Sequence, residues 1–236
     1  MATSTTTFTG FRPEAVQFLA DLGANNERAW FQPRKADFER LLKEPLEALV
    51  AALAERFAKR GLPLRADPAR SPFRIYRDVR FSKDKSPYKT NIGADFPWVQ
   101  PASGAAADGE PRHGPGGYFH LSPGEIYVGG GMWHPEPARL AAWRRLVVED
   151  PEAVHRAIED RGFVSEFDAV SGDRLKRVPP GFDAGAPNAE LLKLKDVTFG
   201  RRLSDSEAFS PELPDLITDA FDAATPVFRL LAGLES

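Results

Sequence analysis

Residues 73–98 read FRIYRDVRFSKDKSPYKTNIGADFPW, and in this stretch the spacing of apolar residues drops to two. Phe73, Ile75, Val79 and Phe81 fall on one side of an extended chain, and Arg74, Tyr76, Asp78 and Arg80 on the other. A second alternation sets Thr90, Ile92, Ala94, Phe96 and Trp98 against Lys89, Asn91, Gly93 and Asp95. Two strands joined by a hairpin loop at Asp84 to Pro87 are predicted. Downstream, strands over 117–122 and 125–133 are linked by the turn Ser122-Pro123-Gly124, and connections this short require antiparallel pairing. The Gly/Pro-rich residues 100–117 read as a flexible insertion between strands, and 197–203 as one more short strand.

Helical spacing flanks this meander on both sides. Residues 13–22 predict a helix with Pro13 in its first turn, ended by Gly23, with Asn25 or Asn26 capping the next turn. Helices over 34–43 and 45–60 follow, separated at Pro45; Leu46, Leu49, Val50, Leu53 and Phe57 share one face of the second and are expected in the core. The C-terminal half predicts helices over 135–148, 151–161, 189–195 and 211–232, with 171–189 irregular. The expected class is therefore α+β: an antiparallel sheet of about four or more strands, helices from both chain halves packed mainly on one face. One domain is expected over 8–232, after a disordered tail at 1–7. No strand–GxGxxG–helix unit points to a dinucleotide fold.

The chain of 236 residues contains no cysteine, which excludes a disulfide framework, thiolate metal sites and a cysteine nucleophile. No run of 18 apolar residues and no secretory leader is present, so a cytoplasmic protein without membrane partners is expected. The net charge of −3 conceals an asymmetry. Residues 70–89 hold Arg70, Arg74, Arg77, Arg80, Lys83, Lys85 and Lys89 against Asp78 and Asp84, a local +5 carried by a remainder of −8. Residues 205–236 alone set seven acids against Arg229.

That basic segment is where a function is expected. Arg77 shares the apolar side of its strand, and a buried guanidinium needs a carboxylate, carbonyls or a bound anion. A structural ion pair satisfies it as well as a ligand does. Arg74, Arg80, Lys83, Lys85 and Lys89 would attract phosphate or carboxylate, Arg by paired hydrogen bonds and Lys as a point charge. Tyr76, Tyr118 and Trp133 are the aromatic groups assigned to the same site. An anionic small molecule is the expected partner. Stacking next to cations also suits single-stranded nucleic acid, but the acidic remainder opposes it. An enzyme acting on the same anion is the other alternative, with His120 or Asp78 moving a proton. His134 and Glu136 make only an isolated HxE pair, and no metal or cofactor is expected. His155 reads as a structural residue of a helix. Gly129-Gly130-Gly131 marks a strand whose backbone is closely approached by a helix or a ligand. Lys176, Arg177, Lys193 and Lys195 form a second basic group.

The strings FTGF (8–11), NNERAWF (25–31), FRIYRDVRFSKDKSPYKTNIG (73–93), GGGMWHP (129–135), LKRVPPGFD (175–183) and ELLKLKD (190–196) together resemble one family. It is the bacterial family of conserved hypothetical proteins known as domain of unknown function 2461. The resemblance spans about residues 8–232 and implies a single full-length domain with the basic string at its centre. It implies no reaction, cofactor or catalytic residue. The insertion at 100–116 is where the chain is least like the family.

Overall fold

Strand alternation sends Gly117, Phe119 and Leu121 to one side of residues 116–122, where they are buried, and leaves Tyr118, His120 and Ser122 half-buried on the other. That pattern organises the computed structural model, which describes residues 7–80, 82–99 and 114–234. Strands β1 (Ile92–Pro97), β2 (Gly116–Ser122), β3 (Glu125–Met132) and β4 (Val197–Arg202) form one antiparallel sheet in the order β1-β2-β3-β4. The protein is α+β, as the sequence predicts. The register places Asp95 opposite Tyr118, Gly93 opposite His120, and His120 opposite Tyr127.

Helices α1 (Pro13–Ala24), α2 (Glu44–Arg60), α3 (Pro137–Glu149), α4 (Pro151–Ile158), α5 (Arg161–Phe167), α6 (Leu213–Ala223) and α7 (Thr225–Ala232) supply the rest of the core. Helices α6 and α7 lie against the buried face, where two glycines admit aromatic rings. A Cβ at Gly117 would sit 2.5 Å from Cζ of Phe221, and one at Gly130 2.8 Å from Cζ of Phe228. The C-terminal acids are largely accounted for here. Asp215 pairs with Arg56 at 2.7 Å and Asp219 with Arg60 at 2.6 Å, tying α6 to α2. Among the described residues, no helix is long and apolar enough to cross a membrane.

Several local expectations need correction. Pro45 does not separate two helices: the chain stays helical from Arg28 to Arg60, widening to a π turn over Glu39–Lys43. That wider winding removes the conflict between the proline ring and the carbonyl four residues back. The last helix is two helices, broken at Ala224 because Pro226 cannot continue the ladder. Helix α5 was not foreseen. The insertion ends earlier than expected, since Gly116 and Gly117 already belong to β2; residues 100–113, like 1–6 of the tail predicted at 1–7, lie outside the described residues.

The predicted strand 73–81 is the instructive case. Its burial alternates as expected, with Ser71 and Ile75 inward and Arg74, Tyr76, Asp78 and Arg80 outward. It forms only isolated bridges, Pro72 with Ala94 and Tyr76 with Tyr88. Phe73 bonds to Gly93 at 2.9 Å, and Lys89 bonds to Ile75 at 2.8 Å. Two residues on one side thus span four on the other, and the extra pair at 90–91 bulges out and breaks the ladder. Phe81 lies outside the described residues. On the opposite edge, residues 171–175 run beside β4 through bridges Ser171–Thr198 and Arg174–Leu194.

Candidate ligand-binding site

The basic hairpin first satisfies its own acids. Arg77, whose side chain is 29% exposed, pairs with Asp84, which also accepts from the backbone N–H and hydroxyl of Ser86. The Ser86 and Arg77 hydrogen bonds hold the Asp84 carboxyl well below the usual carboxylate range. Arg80 binds Asp78 through Nε and Nη2, at 3.0 and 2.7 Å, and lowers that carboxyl from 3.8 to about 2. Such an acid stays ionised at neutral pH and is a poor proton carrier. Both acids of the segment are therefore engaged. Lys85 donates to the Val79 carbonyl at 2.9 Å. Lys89 lies 5.2 Å from the centre of the Phe73 ring. Among the described residues, no carboxylate pairs with Arg74, Lys83 or Lys85.

Two aromatic residues anchor this segment. Tyr88 is buried, stacked on Phe31 at 4.1 Å, and Tyr76 rests on it at 5.5 Å with 48% of its surface exposed. Asn26 does not cap a helix. Its amide grips the Tyr88 backbone from both sides, donating to the carbonyl at 2.9 Å and accepting from the N–H at 3.1 Å. Asn25 instead donates to the Asp21 carbonyl at the end of α1.

Behind the hairpin lies the half-buried face of the sheet. Phe73 meets the Tyr118 ring at 5.9 Å, so Lys89, Phe73 and Tyr118 form a continuous run onto that face. Alternation along β2 brings Tyr118, His120 and Ser122 into line, and Tyr127 of β3 stacks on His120 at 5.1 Å. The hydrogen bonds assign the His120 tautomer. Ser122 donates to the Glu125 carbonyl at 3.1 Å, so its oxygen accepts from Nε2 of His120 at 3.0 Å. Nδ1 is then an acceptor, 3.1 Å from the Tyr118 hydroxyl and 3.5 Å from the Asn91 amide. Burial lowers the His120 pKa and outweighs the opposing charge of Glu125, so the ring is neutral. Burial, followed by Tyr127, raises the Tyr118 hydroxyl; burial and then Glu125 raise Tyr127. The face is a cluster of neutral phenols, an imidazole and an amide, bordered by Asp95 and by Glu125, which Arg202 reaches at 3.3 Å.

The other predicted groups lie apart from this cluster. Trp133 is 69% exposed beyond the end of β3, its ring 4.1 Å from that of His134 and tilted 42° to it. His134 adopts a φ of +48° and its N–H donates to buried Asp196 at 2.6 Å. Gly129 and Gly131 admit the carbonyls of Phe199 and Val197 on β4, while Gly130 admits Phe228 of α7, so the close approach expected from a helix or a ligand is made by β4 and a helix. His155 bridges Glu159 at 2.7 Å and Asn188 at 2.9 Å. Lys193 and Lys195 pair with Glu190 and Asp173, whereas Lys176 and Arg177 are exposed. Two clefts, of about 480 and 430 Å3, are lined respectively by residues such as Glu166, Arg201 and Asp215, and Val148, His155 and Pro187. Neither includes a residue of the basic hairpin.

The pattern of the family described as "Conserved hypothetical protein (DUF2461)" matches residues 14–229. The chain belongs to the DUF2461 family. No curated protein and no solved structure matches it. In this DUF2461 chain the sequence alone located the basic hairpin, whereas the shared face of Tyr118, His120 and Ser122 is shown by the structure. The sequence did not join Asn91 to them, because the bulge at 90–91 leaves no periodic trace. Nor did it show Asn26 as the clamp on Tyr88, a contact across 62 residues.

Proposed function

We propose that this protein is a cytoplasmic bacterial binding protein for a small phosphorylated or carboxylated molecule, held by the basic hairpin where it meets the open sheet face. The observation that carries this reading is the state of the hairpin's charges. With Asp78 and Asp84 committed to Arg80 and Arg77, no carboxylate among the described residues pairs with the cations Arg74, Lys83 and Lys85, and Arg74 shares the outward side with exposed Tyr76. A guanidinium on the side of an exposed ring, followed by two ammonium groups in the turn, suits an anion that carries a flat or apolar part. Arg77 acts in this reading as the strut that closes the 77–84 turn, and it does not contact the ligand. Enzymatic action on the same ligand is the second reading. Neutral His120, with its Nδ1 in reach of a hydroxyl, has the protonation state of a general base at neutral pH.

The test is a thermal-shift and calorimetric series with inorganic phosphate, pyrophosphate, mononucleotides, sugar phosphates and dicarboxylates. A ligand of the native state raises Tm, and the triple variant Arg74→Ala/Lys83→Ala/Lys85→Ala is expected to abolish the rise while Arg77→Ala retains most of it. The proposal fails if no anion shifts the wild type, or if the triple variant responds as the wild type does. Binding confined to oligonucleotides, with affinity falling linearly in log salt, would replace it with a nucleic-acid role.

A further inference from the structure

We infer that the ligand is a nucleoside phosphate, its base laid on the exposed ring of Tyr76 and its phosphate bound by Arg74. This rests on the anion-binding reading above and names the ligand's uncharged part. Among the described residues of the hairpin, Tyr76 is the one exposed ring, and it is built on a fixed support. Its backbone bridges to Tyr88, and its ring meets the Tyr88 ring at 5.5 Å. Tyr88 in turn stacks on Phe31 at 4.1 Å, and Asn26 fastens the Tyr88 backbone through both its carbonyl and its N–H. This column of buried rings supports Tyr76 from within, and 48% exposure leaves ring surface for a flat partner. A side chain fixed in advance loses little freedom on binding, and stacking on an aromatic ring accepts any base. Arg74 stands two residues before Tyr76 on the same outward side, so their Cα atoms are at most about 7 Å apart. That is the scale of the step from a base to its own 5′-phosphate. Among the described residues no acid pairs with Arg74, and the next acid on that side, Asp78, is held by both Nε and Nη2 of Arg80. The Arg74 fork suits the oxygens of a phosphate. Lys83 and Lys85 in the adjoining turn add to the positive potential, and Lys85, anchored on the Val79 carbonyl, keeps two further N–H donors. A single exposed ring takes a single base, whereas a strand needs successive rings, which favours a mononucleotide over nucleic acid. Inorganic phosphate and dicarboxylates leave the ring unused.

Calorimetry with AMP, CMP, ribose 5-phosphate, phenyl phosphate, inorganic phosphate and oligo(dT) tests this on the wild type, Tyr76→Phe, Tyr76→Leu and Arg74→Gln. Far-UV circular dichroism and Tm establish that each variant is folded. At least one mononucleotide is expected to bind about tenfold or more tightly than ribose 5-phosphate, the effect of one stacked base. Tyr76→Phe keeps the aromatic face and is expected to keep that ratio. Tyr76→Leu still covers Tyr88 but offers no such face, and is expected to bring the ratio to about twofold or less. Arg74→Gln is expected to weaken mononucleotides and ribose 5-phosphate alike, by about fivefold or more. If ribose 5-phosphate binds as tightly as the mononucleotides, or Tyr76→Leu leaves the ratio unchanged, or Arg74→Gln alters neither affinity, the inference is wrong while the anion-binding reading stands. If no anion binds, both are wrong. Phenyl phosphate equal to the mononucleotides overturns the nucleoside in favour of a plain aromatic phosphate, and binding confined to oligo(dT) overturns it in favour of nucleic acid.

Discussion

Replacing Asn26 by alanine removes both hydrogen bonds that hold the Tyr88 backbone, the 2.9 Å bond to its carbonyl and the 3.1 Å bond from its N–H. Tyr88 is 1% exposed, so water reaches these two groups poorly once the amide is gone. An orphaned buried donor or acceptor costs about 1–3 kcal/mol, and partial access for one water places the pair at about 2–4 kcal/mol. For a chain of this size that corresponds to a fall in Tm of about 5–15 °C. The neighbouring Asn25→Ala is the control: its bond to the Asp21 carbonyl is exposed, and its loss is expected to cost less than about 1 kcal/mol. Urea and thermal unfolding give the two stabilities, and hydrogen exchange at the Tyr88 amide gives the local effect. Asn26→Ala should speed exchange at that amide beyond what the global loss explains, because the N–H itself has lost its acceptor. Equal stabilities for the two variants within about 0.5 kcal/mol, or unchanged protection at Tyr88, would refute the clamp.

Gly117→Ala places a methyl 2.5 Å from Cζ of Phe221, whose ring is fully buried between Phe57, Phe96 and Phe228. The ring has nowhere to move, and a loss of about 1–3 kcal/mol is expected in urea unfolding, whereas Gly124→Ala meets no atom and costs only its φ of +77°. His120 makes stability depend on pH with a definite sign. Its folded pKa lies below the ordinary 6.5, so the unfolded chain takes up the proton first; its stability contribution is complete above 6.5 and is lost as pH falls through the folded value. His155, raised chiefly by its hydrogen bond to Glu159, acts oppositely: its contribution is complete below 6.5 and fades as pH rises through its folded value. Unfolding of wild type and His120→Gln between pH 8 and 5 should therefore show a shallower acid-side decline in the variant, and identical slopes would refute the assignment of a neutral, burial-shifted imidazole.

Period and punctuation made most of the fold legible. The helical stripe from Leu46 to Phe57 is a local signal, and it is buried as read. What escaped depends on partners distant in sequence. Residues 73–81 have the pattern of a strand, yet strand pairing also needs an uninterrupted register on the facing segment, which the extra residues at 90–91 deny. Pro45 and Pro226 show the same limit from the other side. Both are helix-breaking by type, but one is absorbed by a π turn and the other ends a helix, and only the surrounding packing decides between them. At the site, charge counting found the cations and could not see which were already engaged. Arg77, singled out because it interrupts an apolar face, is tied to an acid of its own hairpin.

The charge of the hairpin has a second physical consequence that bears on how recognition can occur. A sheet with bare edges invites another strand, and cations on an edge segment deter it. Here both edges are occupied by irregular segments, 71–73 beside β1 and 171–175 beside β4, and the chain continuing from the first carries arginines outward at 74 and 80. Edge protection alone therefore accounts for some positive charge in this place. It does not account for Tyr118, His120, Ser122 and Tyr127 joined by hydrogen bonds on the adjoining face, because edge pairing is blocked without them. Nor does core packing require them, since the face they occupy is the half-buried one and the apolar contacts lie on the other. Partly desolvated phenols, an imidazole and an amide held in one fixed hydrogen-bond direction cost stability relative to a plain solvated strand surface. Under the proposed anion-binding reading that arrangement serves contact with the ligand, and with both edges occupied the contact is made across the face.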